Sequence, residues 1–283
     1  MTALRTSANC LAALALIGAG WLFATTDGRD VLRIVRYEWI GGRQLIGGVP
    51  RREIPCPSGN NSRRMVAVLF GQSNAANSVR GRHTPHVGVV NYFAGRCYVG
   101  DDPLPGATGT GGSVWSRLGD LLLESGRYDE VVFAGLAVDA SEIARWAPGG
   151  DLNPGALAVL RGLHGRNLEP THLLWHQGER DMQLKTTAED YRDRFARVLT
   201  SIRETGTDAP IYVALASWCR GRLSSEIRTA QAALVAPASG VRAGPDTDAL
   251  RGPDLRHDDC HFSAAGAARH AALWRDALIA AIP

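Results

Sequence analysis

The chain has 283 residues, 45% hydrophobic and 21% charged, which suits one globular domain of ordinary core content or two small ones and excludes disordered and fibrous classes. Its net charge is +3, and Lys185 is the single lysine among 31 Lys and Arg residues, which form no block able to neutralise a phosphate backbone. Nucleic acid is therefore not an expected partner.

The chain opens on a targeting pattern. Arg5 precedes a run from Cys10 to Ala24 without a polar side chain, the layout of a charged region followed by an apolar one. That run would span only about 22 Å as a helix, although counting residues 8–26 brings it to marginal spanning length. A cleaved signal peptide and an uncleaved inner-membrane anchor over residues 1–26 both remain open, and either implies export to the periplasm or beyond. Residues 27–64 carry Gly41-Gly42, Gly47-Gly48, Pro50, Pro55 and Pro57 without sustained periodicity, so they read as a tether or lead-in.

The folded domain is expected over residues 65–283. Apolar runs of strand length at Met65–Phe70, Val131–Leu136, Leu173–Trp175 and Ile211–Ala216 alternate with segments of helical period. Those helices are expected over Ser113–Leu123, Pro154–Leu163, around Tyr191–Ile202, over Ser224–Val235 and over Ala264–Ile282. Such alternation predicts an α/β fold, a parallel sheet covered on both faces, with reactive groups at the carboxyl ends of the strands.

At the first of those ends stands Gly71-Gln72-Ser73-Asn74. Taken alone, a serine there is more simply a turn or cap residue. Far along the chain, Asp258-Asp259-Cys260-His261 precedes the last helix. An acid three residues before a histidine on one loop can hold the imidazole in one tautomer while its other nitrogen faces a nucleophile. Ser73, His261 and Asp258 are thus a candidate triad. Glu179 is a competing partner for the histidine, disfavoured because it would have to reach across loops.

Four blocks carry a resemblance: Phe70-Gly71-Gln72-Ser73-Asn74, Gly109-Thr110-Gly111-Gly112-Ser113, Trp175-His176-Gln177-Gly178-Glu179 and Asp258-x-x-His261. In that order they resemble the SGNH hydrolases, specifically the branch of sialate O-acetylesterases and carbohydrate acetyl esterases. The resemblance implies a flavodoxin-like three-layer α/β/α sandwich with a central parallel sheet. It also implies Ser73 as nucleophile, His261 as general base and acid, and Asp258 as its orienting partner. The oxyanion hole is carried over to the amides of Ser73 and Gly112 and to the Gln177 side chain, with Asn74 and Glu179 in support. No cofactor or metal is implied. One departure stands out, for relatives often have Gly-Gly-Thr-Ser-Ile where this chain has Val138-Asp139-Ala140-Ser141-Glu142-Ile143. Trp115 and Trp146 are candidate sugar-stacking faces, with core packing as the competing reading.

The expected activity is removal of O-acetyl groups from a carbohydrate through an acetyl-serine intermediate. An O-acetyltransferase using the same residues and a glycan-binding pseudoenzyme are the alternatives. Cys56, Cys97, Cys219 and Cys260 allow two bridges in an oxidising compartment. Loops after the late strands of a doubly wound sheet share one rim, which predicts Cys219 with Cys260 and leaves Cys56 for Cys97.

Overall fold

The computed structural model describes residues 51–280. The N-terminal targeting segment and the lead-in up to residue 50 lie outside the described residues. Among the described residues, no helix is long and apolar enough to cross a membrane.

The central strand is β2, Arg64–Gly71, an apolar run buried along nearly its whole length. It pairs in parallel with β5, Glu130–Ala137, on one side and with β6, His172–His176, on the other. Beyond β5 lies β3, Val89–Phe93, also parallel. Beyond β6 come β7, Ile211–Leu215, and β8, Val241–Asp246, both parallel. At the β3 edge the sheet turns antiparallel, adding β4, Arg96–Val99, and the two-residue β1, Glu53–Ile54. The full order is β1-β4-β3-β5-β2-β6-β7-β8, a parallel sheet with an antiparallel edge, so the expectation of a parallel sheet needs that amendment.

Alternation along β2 divides the core. Met65, Ala67 and Leu69 point to a layer made by α1, Trp115–Glu124, and α7, Ala264–Ala280, where Leu118, Leu122, Trp274 and Leu278 pack. Val66, Val68 and Phe70 face the opposite layer of α2 (Ile143–Trp146), α3 (Asn153–His164), α5 (Ala188–Arg203) and α6 (Ser225–Ala233). A further short helix, α4 at Glu179–Leu184, follows β6. Thr187 caps α5 by accepting from the Asp190 amide, and Ser224 caps α6 by accepting from the Ile227 amide.

The ends of β2 and β6 lie very close. A Cβ on Gly71 would stand 2.0 Å from the His176 carbonyl oxygen. Glycine is therefore the only residue that lets the chain turn away from β2 at that point.

Cys56 pairs with Cys97 and Cys219 with Cys260. The first bridge fastens the segment beside β1 to the antiparallel edge, and the second joins the loop after β7 to the loop before α7. Each closes a sequence separation of 41 residues, for which loop-closure entropy gives about 4 kcal/mol before strain is deducted. Replacing Cys56 and Cys97 together by serine should lower unfolding free energy by about 2–4 kcal/mol. Denaturant titration of the double variant checks this, and an unchanged midpoint would contradict it.

Candidate active site

The turn after β2 places Ser73 at the start of a short 3-10 helix, Ser73–Ala75. Its backbone is tied to the neighbouring strand end, since the Gln72 amide donates to the His176 carbonyl at 3.3 Å. The Gln72 side chain in turn accepts from the Arg180 amide at 3.1 Å. Nucleophile turn and third-block loop thus brace each other.

Asp258 and His261 come from the loop before α7. The Asp258 carboxylate bonds the His261 Nδ1 at 2.7 Å and also accepts the backbone amides of His261 at 2.6 Å and Cys260 at 3.0 Å. Partial burial pushes this carboxyl up, but the His261 amide and ring and the Cys260 amide outweigh that and hold it at about 2. Asp258 is therefore ionised throughout the pH range in which enzymes usually work. His257, next to it, stacks on the His261 ring at 6.1 Å and faces the Ser78 carbonyl at 3.3 Å.

Ser73, Asp258 and His261 line one cleft of about 360 Å3, together with Ala140, Arg180 and Arg220. Glu179 does not belong to it. That carboxylate is buried beneath the cleft, where it accepts from Asn74 at 2.7 Å and faces His176 at 3.6 Å. Burial raises its pKa, yet His176 and Asn74 bring it below the ordinary carboxylate value. Asn74 also donates to the Cys260 carbonyl at 3.2 Å, so it works inward as a strut.

Two of the expected oxyanion donors are otherwise engaged. The Gly112 amide donates to the Val79 carbonyl at 2.9 Å in an antiparallel bridge. The Gly-rich block therefore clamps the segment after Ser73 through its Gly111 and Gly112 amides, and α1 begins at Trp115, two residues later than the expectation required. Gln177 is fully buried, and its amide group donates to the Asp181 carboxylate and, at 2.9 Å, to the Ser141 carbonyl. Both tryptophans are core residues. Trp115 is 0% exposed and donates to the Ala75 carbonyl at 2.7 Å, while Trp146 is 1% exposed and packs edge-on against Phe70 and Trp175. Neither offers a face to a sugar.

Ala140 and Arg180 are cleft residues that were not among the sequence candidates. Ala140 follows β5 in the left-handed region, φ 52°, an uncommon conformation for a residue with a Cβ. Neither its amide nor that of Ser73 donates to another group among the described residues. Its position at a strand's carboxyl end was the available signal, hidden because alanine stands where glycine was expected. Arg180 follows the third block directly. Its guanidinium donates to Gln183 at 3.1 Å, and no carboxylate pairs with it among the described residues.

A family model described as carbohydrate esterase, sialic acid-specific acetylesterase, matches residues 113–280. No curated protein matches the chain. Among solved structures, a protein from Arabidopsis thaliana superposes with TM-score 0.64 at 18% identity, covering 78% of this chain and 99% of its own. A carbohydrate acetylesterase from Xanthomonas citri gives TM-score 0.53 at 18% identity, over 76% of this chain and 56% of its own. The protein NanS gives 0.50 at 14% identity, over 77% and 96%. At these identities the structures establish a shared SGNH-type fold, whereas the family model spans more than half of the sequence, including the loops of Gln177, Asp258 and His261. The chain belongs to the carbohydrate esterase family of sialic acid-specific acetylesterases.

Proposed function

We propose that the protein is an exported serine esterase that removes O-acetyl groups from an acidic sugar. The observation that carries this reading is the Asp258–His261 pair at 2.7 Å in the same cleft as Ser73. With Nδ1 donating to Asp258, the Nε2 of His261 is left to accept the Ser73 proton as the hydroxyl attacks the acetyl carbonyl. Negative charge then develops on the carbonyl oxygen. The amides of Ser73 and Ala140 are the donors assigned to it, each worth about 3 to 4 kcal/mol in such sites. The Gln177 side chain serves indirectly, by holding the Ser141 carbonyl beside Ala140. Collapse of the intermediate expels the sugar oxygen, which takes the proton back from His261. Water activated by the same imidazole then cleaves acetyl-Ser73 and releases acetate.

Arg180 and Arg220 both line the cleft, and Asp258 is committed to His261, leaving Asp139 as the other carboxylate in the lining. An unpaired guanidinium beside the nucleophile favours a substrate that carries its own carboxylate. Two disulfides and the apolar N-terminal run support export to an oxidising compartment.

Ser73→Ala and His261→Ala should each lower acetate release by about 1,000-fold or more while leaving the thermal melt unchanged, because the two groups act as a unit. Turnover within about tenfold of the wild type in either variant would remove the assignment. Arg180→Ala should raise KM for an acetylated acidic sugar about tenfold, equivalent to about 1.4 kcal/mol, and leave KM for an acetylated neutral sugar unchanged. Parallel assays on the two substrates check this, and an equal change in both would count against recognition of a carboxylate.

A further inference from the structure

The loop bearing Asp258 and His261 is open to solvent on one side, yet it rests on a buried cation. Arg256 is 1% exposed. Its Nε donates to the Leu250 carbonyl at 2.6 Å, one terminal nitrogen donates to the Thr247 carbonyl at 2.9 Å, and the other donates to the Cys260 carbonyl. The guanidinium lies over the Phe262 ring at 4.2 Å. Burial lowers its pKa while Glu179, Asp248 and Asp259 counteract that, and guanidinium remains protonated in proteins. Bare carbonyls are a costly set of partners for a buried charge unless the geometry they fix is needed.

That geometry reaches the triad through one peptide plane. The Cys260 carbonyl and the His261 amide belong to the same planar unit, so fixing the oxygen on one edge fixes the direction of the N–H on the other. The His261 amide donates to Asp258 Oδ1 at 2.6 Å, and the second oxygen of that carboxylate holds His261 Nδ1 at 2.7 Å. The Cys260 carbonyl also accepts from Asn74 at 3.2 Å, the residue next to Ser73. One carbonyl oxygen therefore joins the turn carrying the hydroxyl to the loop carrying the imidazole.

We propose that Arg256 is a positioning residue, which, together with Asn74, orients the Cys260–His261 peptide and thereby sets the His261 ring against the Ser73 hydroxyl. The inference rests on the serine esterase reading. A lysine at this site keeps a positive charge but cannot span three carbonyls, so it separates charge from geometry.

The test uses the full chain with 4-nitrophenyl acetate as substrate and a fluorophosphonate probe to report Ser73 reactivity. Arg256→Lys should lower kcat about tenfold or more with KM within about twofold of the wild type. Arg256→Met should lower it further, and the rate of Ser73 labelling should fall in step. Asn74→Ala, which leaves the buried cation in place, keeps the idea testable if the arginine variants fold poorly, and should give a similar loss in kcat. Combining Asn74→Ala with Arg256→Lys should cost less than the product of the single effects, because both act on one carbonyl. Wild-type kcat per folded molecule in Arg256→Lys, or effects that simply multiply, would overturn the inference. Hydrolysis that survives Ser73→Ala would instead overturn the esterase reading itself.

Discussion

The Asn74–Cys260 hydrogen bond spans 186 residues of chain, and the site depends on it. Ser73 leaves the first parallel strand of the sheet and His261 arrives just before the last helix, so nothing local brings them together. The parallel sheet delivers both to its carboxyl rim. Contacts at Cys260 then hold their spacing: Asn74 and Arg256 on its carbonyl, and Cys219 on its sulfur. Such loop closure is entropically unfavourable, and the disulfide offsets part of it in the unfolded chain.

Beneath the cleft the protein keeps a set of polar groups that a simpler core would replace with apolar ones. Glu179, Asn74, His176 and Arg256 are all buried; Asn74 and Arg256 bond the Cys260 carbonyl of the loop above, Glu179 holds Asn74, and His176 faces Glu179 from below. Desolvating such groups costs stability, and the return is a fixed arrangement of the residues over them. Asp258 illustrates the same point on the surface. It stays ionised down to about pH 2 because two backbone amides and the His261 ring converge on it. The contribution of this pairing to stability is present above the unfolded carboxylate pKa of about 3.9 and is lost as pH falls through the folded value.

Much of this was legible in the sequence, and the exceptions share a cause. Strands β2, β5, β6 and β7 declared themselves as apolar runs, and the late-strand rule placed Cys219 beside Cys260. Strands β3 and β4 are four or five residues long, and β8 contains Gly244 and Pro245, so edge position and tertiary pairing define them where local propensity does not. Ser73 and the Asp258–His261 pair, far apart in the chain, line one cleft. Gly112 and Gln177 carry the right chemical groups, but their donors are taken by Val79, Ser141 and Asp181, partners that only the folded chain supplies. Trp115 and Trp146 followed the ordinary behaviour of large aromatic residues in a two-sided core. Arg256 could not be picked out because its role lies in three carbonyls, which no side-chain pattern encodes.

In the proposed reaction, acetyl passes through Ser73. Rapid acid quenching of the enzyme during turnover of an acetylated sugar, followed by peptide mass mapping, tests it directly. One acetyl group is expected on the peptide containing Ser73, formed before acetate release and missing in Ser73→Ala. Acetate released at the wild-type rate with no acetylated Ser73 peptide at any quench time, in the presence of an inhibitor-verified active enzyme, would contradict it.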